Sequence, residues 1–354
     1  MLPSRNAIQA LPKADLHSHI DGSVPAWELF RIAKINRRRI LTPGGDELGS
    51  VSAFMRYVVG SGYGSMLNNI VDRFRPITGL MQTETILREV GISYVKAQKE
   101  DGVAYAEGRF APQYHLREGL SLKDVIVSMA DGLAEGTERY GVKTALIVAI
   151  GREAPSRLGV QVAKAASSSR LAVALDIGGP EAGNPPHRFK EAFRIAAASG
   201  LKATVHAGEG AGSLEKNLKN IEEAITLLGA HRLGHAIPLV NSERLLDLVL
   251  KKSIAIEMNP VSNLVLGNIE DMEELGIDRL LARGSLVSVN SDDPALWPRG
   301  SLSEVYYRVC RAYGFGFEEL DRLMQNAFAG SFAPGNERNR LAELYGQARR
   351  RIGG

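Results

Sequence analysis

The sequence predicts an α/β protein built as a (β/α)8 TIM barrel, with a helical lid insertion after the first strand and extra C-terminal helices. Three observations predict it. Eight short apolar, β-branched runs alternate with longer segments of helical periodicity. The third run, TALIVAI, is apolar on both faces, as suits a strand of a parallel sheet covered from both sides. His, Asp and Glu recur at the C-terminal ends of the runs, where barrel active sites sit. A doubly wound open sheet is the alternative; the strand count and the polar placement favour the barrel.

In chain order the expected strands are 14–20, 103–107, 144–150, 172–176, 203–206, 232–235, 254–258 and 286–290. Expected helices include 83–99, 122–140, 188–198, 214–228, 242–251 and 271–282. Two regions exceed the repeat. Residues 21–102 form a long insertion containing Gly44, Gly45, Gly49, Gly60, Gly62 and Gly64. An insertion there lies over the barrel mouth. Phe54, Met55, Tyr57, Val58 and Val59 give it apolar surface to bury, so it is expected to act as a lid. After the last strand, 302–313, 317–327 and 337–351 read as helices, ending in a solvated Arg349-Arg350-Arg351. No linker divides the chain, which predicts one domain over residues 1–354.

Composition narrows the function classes. The 43 basic and 40 acidic residues leave a net charge of +3, no basis for a nucleic-acid or membrane partner. Cys310 is the one cysteine, which excludes an internal disulfide, an iron–sulfur cluster and a cysteine-rich zinc site such as a structural ribbon. Any metal must be held by His, Asp and Glu. No run reaches the roughly 18 to 20 apolar residues that span a bilayer. The first thirteen residues lack a signal-peptide pattern, so a cytoplasmic location is expected.

Several residues carry chemistry. His17 and His19 stand at i and i+2 of the first strand, so both imidazoles project to one face. Burying two such groups costs several kcal/mol unless compensated, and metal coordination is a strong compensation. His206 ends the fifth strand, followed by Gly208 and by Glu209 at the strand-to-loop corner. In a closed pocket Glu209 has a raised pKa and can shuttle a proton; otherwise it is a glutamate favoured by a helix dipole. His235 ends the sixth strand and reads as a metal ligand, a general base, a water-orienting imidazole or a structural histidine. Asp292 and Asp293 are read as ending the eighth strand. Neighbours in extended chain point apart, so one can bind metal while the other faces substrate. His115, His187 and His231 lie off the strand ends and read as structural or surface. Together these strand ends offer an N/O-rich ligand set that suits one Zn²⁺ with an open position for water.

The stretches LPKADLHSHIDGS, YAEGRFAP, ALDIGGPE, TVHAGEG, RLGHAI, EMNPVSNLVLG and VNSDDPALW run in this order from about residue 11 to 297. With them the chain resembles the adenosine/adenine deaminase family of the amidohydrolase superfamily. The resemblance implies one zinc held by His17, His19, His206 and Asp292. It implies Glu209 as the group that protonates purine N1, and His235 and Asp293 as the groups that orient and deprotonate water, with Asp293 also facing N7. It further implies the Gly179 N–H at N3 and Asp21 at a ribose hydroxyl, with His19 and Asp293 among the substrate contacts. The implied reaction is deamination of the 6-amino group of adenosine or a related aminopurine nucleoside. A modified or 5′-substituted adenosine, or free adenine, is the alternative substrate. Two departures lie where substrate size is decided: Asn259-Pro260 stands where many relatives carry Cys-Pro, and the Gly-rich insertion matches the family weakly.

Rival classes fit less well. A binuclear amidohydrolase needs a bridging lysine at the end of the fourth strand, which reads LAVALD. A metallophosphoesterase that opens with HxH needs more histidines than the 7 present readily supply. A non-catalytic barrel-binding protein should have lost ligands or the acid, and every such position is filled.

Overall fold

The computed structural model describes residues 2–352 apart from 62, 63, 65–68 and 211, so Gly62 of the glycine-rich stretch lies outside the described residues. Eight parallel strands form one sheet in sequential order. They are β1 (Lys13–His19), β2 (Val103–Phe110), β3 (Lys143–Gly151), β4 (Ala172–Gly178), β5 (Lys202–Ala207), β6 (Arg232–His235), β7 (Ala255–Met258) and β8 (Val287–Val289). Closure falls to the backbone just beyond β8. Asp292 N–H donates to His17 O (2.9 Å) and His19 N–H to Asp292 O (2.8 Å). The result is the expected (β/α)8 barrel, nearly closed, with helices outside. None of the described helices is long and apolar enough to cross a membrane.

The strands bury most of their length because neighbouring strands cover their edges and the helices cover their outer face; Ile147, Val148 and Ile150 of β3 are fully buried, while Lys143 and Lys202 at the strand starts are exposed. The helices Glu84–Glu100 and Leu122–Tyr140 approach closely enough that a Cβ on Gly132 would collide with the Arg88 backbone. At the other end of the barrel, Lys13 Nζ donates to the carbonyls of Ile8, Gln9 and Leu11 (3.2, 3.3 and 2.9 Å).

The structure departs from the expected boundaries for local reasons. The segment 271–282 is two pieces, a 3-10 turn Met272–Leu275 and a helix Ile277–Ala282, because Gly276 at φ +59 breaks the path between them. The last strand stops at Val289, so Asp292 and Asp293 lie in the connection after it. Asp292 is left-handed (φ +61), so the alternation expected of extended chain does not apply to this pair. In the insertion, Phe54 and Val58 are buried and Tyr57 and Val59 partly so, but Met55 is 43% exposed. The insertion reaches the loops after β7 and β8: Gly60 N–H donates to Leu296 O (2.8 Å) and Gly64 N–H to Leu264 O (3.0 Å). The C-terminal helices are Leu302–Tyr313, Phe317–Gly330 and Gly335–Ile352. Arg350 and Arg351 are exposed as expected, whereas Arg349 lies on the Phe317 ring and pairs with Asp321 (3.1 Å).

Candidate active site

Alternation along β1 sends His17 and His19 to the same side, with ring centroids 5.8 Å apart. His206 reaches them from β5. Its Nε2 lies 3.1 Å from His17 Nε2 and 3.3 Å from His19 Nε2. Asp292 Oδ1 lies 3.5 Å from His17 Nε2 and 3.4 Å from His19 Nε2. A tetrahedral site with bonds of about 2.0–2.1 Å has edges of about 3.3 Å, and these four pairs lie close to that spacing; His19 also groups with Asp292 and Asp293.

The protons on the rings point to the same conclusion. His17 Nδ1 donates to Glu257 Oε2 (2.7 Å) and His206 Nδ1 to Asp176 Oδ2 (2.9 Å). That assignment follows from the partners, since carboxylates only accept. Both Nε2 atoms are then lone-pair acceptors 3.1 Å apart, an arrangement that repels unless a cation lies between them. The residues present thus fit a divalent cation of the kind bound by imidazole and carboxylate.

His235 is the next nearest imidazole. Donor atoms of His17, His206, His235 and Asp292 lie within 4.8 Å of one another. Its Nε2 stands 3.9 Å from Asp292 Oδ2 and 3.7 Å from Glu209 Oε1, beyond a tetrahedral edge. Its Nδ1 donates to Asn263 Oδ1 (3.0 Å), and its Nε2 accepts from Asn259 Nδ2 (3.2 Å). The departure from Cys-Pro therefore puts an amide on this imidazole. His235, Ala236 and Asp292 all have positive φ, a conformation that costs about 1–3 kcal/mol per residue and clusters at functional sites.

The carboxyl groups divide by environment. Burial pushes Asp292 up, but His17, His235 and His19 hold it well below the usual range. Asp293 goes the other way. Burial raises it well above its ordinary value, and Asp292, Asp21 and Glu209 add to this. One member of the pair is ionised and the other protonated. Burial also raises Glu209, opposed by His235 and assisted by Asp292, and it raises Asp21 to about 6. Asp293 packs so tightly on Gly22 that a Cβ at Gly22 would overlap its carboxylate. Gly179 follows β4 at φ +93.

Sequence reasoning missed the layer beneath. Arg109 from β2 donates to Asp176 (2.6 Å) and to Glu257 (3.0 Å), joining the carboxylates that orient His206 and His17. Arg232 pairs with Glu257 (2.5 Å) and Glu107 (2.6 Å), and Thr204 donates to Glu257 (2.9 Å). All are essentially inaccessible. Glu181, in the quoted ALDIGGPE stretch but given no role there, accepts from the backbone N–H groups of Gly208 (2.9 Å), Glu209 (2.7 Å) and Gly210 (3.1 Å), and so fixes the loop that carries Glu209. The available signal was charge inside apolar strands. His115, His187 and His231 lie elsewhere, bonded to Met81 O, Glu223 and Ala203 N respectively.

A parallel barrel whose strand ends converge three imidazoles and a carboxylate, beside further buried carboxyls, defines a metal-dependent hydrolase of the amidohydrolase type. Residues 12–347 match the adenosine deaminase family, and the chain belongs to that family. It is a hydrolase acting on C–N bonds of cyclic amidines. The chain is similar to the adenosine deaminase of Mycobacteroides abscessus, at 34% identity over 94% of this chain and 93% of the relative. Among solved structures it is similar to the adenine deaminase of Arthrobacter aurescens, with TM-score 0.83, 25% identity and coverage of 95% of this chain and 98% of the other. It shares its fold with the N6-methyl-AMP deaminase of Arabidopsis thaliana, with TM-score 0.81, 22% identity and coverage of 98% and 99%.

Proposed function

We propose that the chain is a zinc-dependent deaminase of adenosine or a related aminopurine nucleoside, one domain over residues 1–354 with one zinc per chain. It releases the 6-amino group as ammonia and leaves the 6-oxopurine. The observation that carries this reading is the convergence of His17, His19, His206 and Asp292, with four donor-atom pairs 3.1–3.5 Å apart, next to Glu209, a carboxyl whose pKa burial raises. Those four residues would hold the metal, which when bound supplies water of lowered pKa at neutral pH.

The chain's own residues do the rest. Glu209 donates its proton to purine N1, which draws electron density from C6 and opens it to attack. His235 accepts at Nε2 and takes the proton of the incoming water, which Asp293 helps to orient. Asp293, held protonated, donates to N7. The Gly179 N–H binds N3. Attack at C6 gives a tetrahedral carbon; the proton taken by His235 passes to the amino nitrogen, which leaves as ammonia, and the C6 hydroxyl returns a proton to Glu209. Asp21, buried with Oδ1 lacking a partner, supports a nucleoside rather than a free base, since a sugar hydroxyl would satisfy it. The insertion 21–102, bonded to the loops after β7 and β8, covers the mouth as a lid. A cytoplasmic location fits this small-molecule chemistry.

The test is ammonia release from adenosine, adenine, 5′-substituted and N6-methylated adenosines and guanine. Glu209→Gln should keep stoichiometric zinc and lose roughly 10²–10⁴-fold in turnover. Retained turnover would remove Glu209 from the mechanism, and release from guanine or adenine alone would displace the nucleoside reading.

A further inference from the structure

A second set of polar groups lines the barrel mouth at the ends of β2, β3 and β4. Gly178 closes β4 against His206: a Cβ there would lie 3.6 Å from the ring Cε1. On the next residue, Gly179, a Cβ would lie 3.4 Å from Glu153 Oε2. Tyr114, in the 3-10 turn Pro112–His115 after β2, donates its hydroxyl to Glu153 Oε1. It lies over Gly151, where any side chain would collide with the Tyr114 hydroxyl and the Gln113 amide. Burial, then Glu153 and then Asp21, push the Tyr114 phenol up, so it stays a donor. Both polar atoms of the Gln113 amide are buried without a hydrogen-bond partner, as is Oδ1 of Asp21, a residue only 5% exposed. Unsatisfied buried groups of this kind mark a site that a polar ligand completes. Contacts run from His206 through the two glycines to Glu153, which is solvent-exposed, and to Tyr114; Asp21 acts on the Tyr114 phenol electrostatically.

We propose that Glu153, held by Tyr114, accepts the ribose 2′,3′-diol of the substrate, and that Glu153 with Asp21 selects neutral nucleosides over nucleoside 5′-monophosphates. The inference rests on the purine-nucleoside reading with Gly179 at N3. N3 and the 2′-hydroxyl share one edge of a purine nucleoside, so a carboxylate beside Gly179 meets the sugar. A carboxylate is the usual acceptor for ribose hydroxyls. A phosphate brought near two carboxylates is repelled, which is discrimination by a built-in penalty. The Gln113 amide supplies a donor and an acceptor for a remaining sugar oxygen.

The test uses the zinc-loaded full chain. Binding is measured for 1-deazaadenosine, which lacks the N1 that Glu209 would protonate, and for its 2′,3′-dideoxy counterpart. Steady-state kinetics follow for adenosine, 2′,3′-dideoxyadenosine and AMP. The native protein should prefer the diol by roughly 10- to 100-fold. Glu153→Ala should abolish that preference, Tyr114→Phe should raise KM without lowering kcat, and Glu153→Lys should raise kcat/KM for AMP relative to adenosine by about tenfold or more. Equal losses on diol and dideoxy ligands, or a native preference for AMP, would overturn the proposal. Diol-dependent binding without ammonia release would overturn the deaminase reading and leave the subsite standing. Ammonia release with diol-blind binding would overturn the subsite alone. Failure to bind either probe would overturn both.

Discussion

Glu257→Gln isolates what the layer under the imidazoles contributes. The native carboxylate accepts from His17 Nδ1 (2.7 Å) and Thr204 Oγ1 (2.9 Å) and pairs with Arg109 (3.0 Å) and Arg232 (2.5 Å). Burial pushes Glu257 up, but Arg232, Arg109 and His17 hold it well below its ordinary range, so it is ionised. The buried set is then three carboxylates, Glu107, Asp176 and Glu257, against two guanidiniums, Arg109 and Arg232. The surplus negative charge lies directly beneath His17 and His206 and makes them better electron donors. The amide keeps the shape and one acceptor but removes the surplus. Losing an outer-shell carboxylate costs about 10–100-fold in metal affinity, or about 1.4–2.7 kcal/mol. The metal-free fold should lose about 3–5 kcal/mol as well, the scale for removing one partner from a buried ion pair. Zinc competition against a chelator gives the first figure, and denaturant unfolding of the metal-free protein gives the second. A folded variant whose zinc affinity stays within threefold of native would refute the argument.

Other expectations concern single residues. Asp292→Ala should lose zinc and turnover together; an active, metal-replete variant would remove Asp292 from the ligand set. Gly22→Ala places a methyl group on the Asp293 carboxylate, so it should lower turnover sharply while zinc content holds, and native kinetics would show that the contact yields freely. His115 governs part of the acid stability. Burial lowers its pKa to about 4, since a second proton would sit on Nε2 with no acceptor. An unfolded histidine titrates near 6.5, so stability present above that pH should fall by about 3 kcal/mol as pH drops from about 6.5 to 4. His115→Gln should flatten that part of the unfolding profile, and parallel profiles for the two proteins would exclude His115 as the cause.

The convergence of His17, His19, His206 and Asp292 was legible because period-two alternation and strand-end position are properties of a few adjacent residues. His17 and His19 need only a strand between them to face one way. The partners beneath were not legible in that sense. Arg109 meets Asp176 and Glu257 only because β2, β4 and β7 surround one interior, and which charge meets which depends on register and closure. The eighth strand, expected over 286–290, spans 287–289; Asn290 still donates its backbone N–H to Met258 O (2.9 Å), while its side chain accepts from Leu16 N–H (3.0 Å). The split at Gly276 was missed because one glycine in a helical pattern does not announce its φ.

The backbone exchange between His17, His19 and Asp292 has a consequence in time. The chain's first strand carries two imidazoles of the quartet, and the carboxylate arrives only after the last strand has docked against the first. Contacts this distant in sequence form late, because a long loop must close before they reward the chain. A growing or half-folded chain therefore presents scattered histidines but no complete coordination sphere. Metal capture belongs to the end of folding, and a chain truncated before its final strand should discard the metal together with the fold.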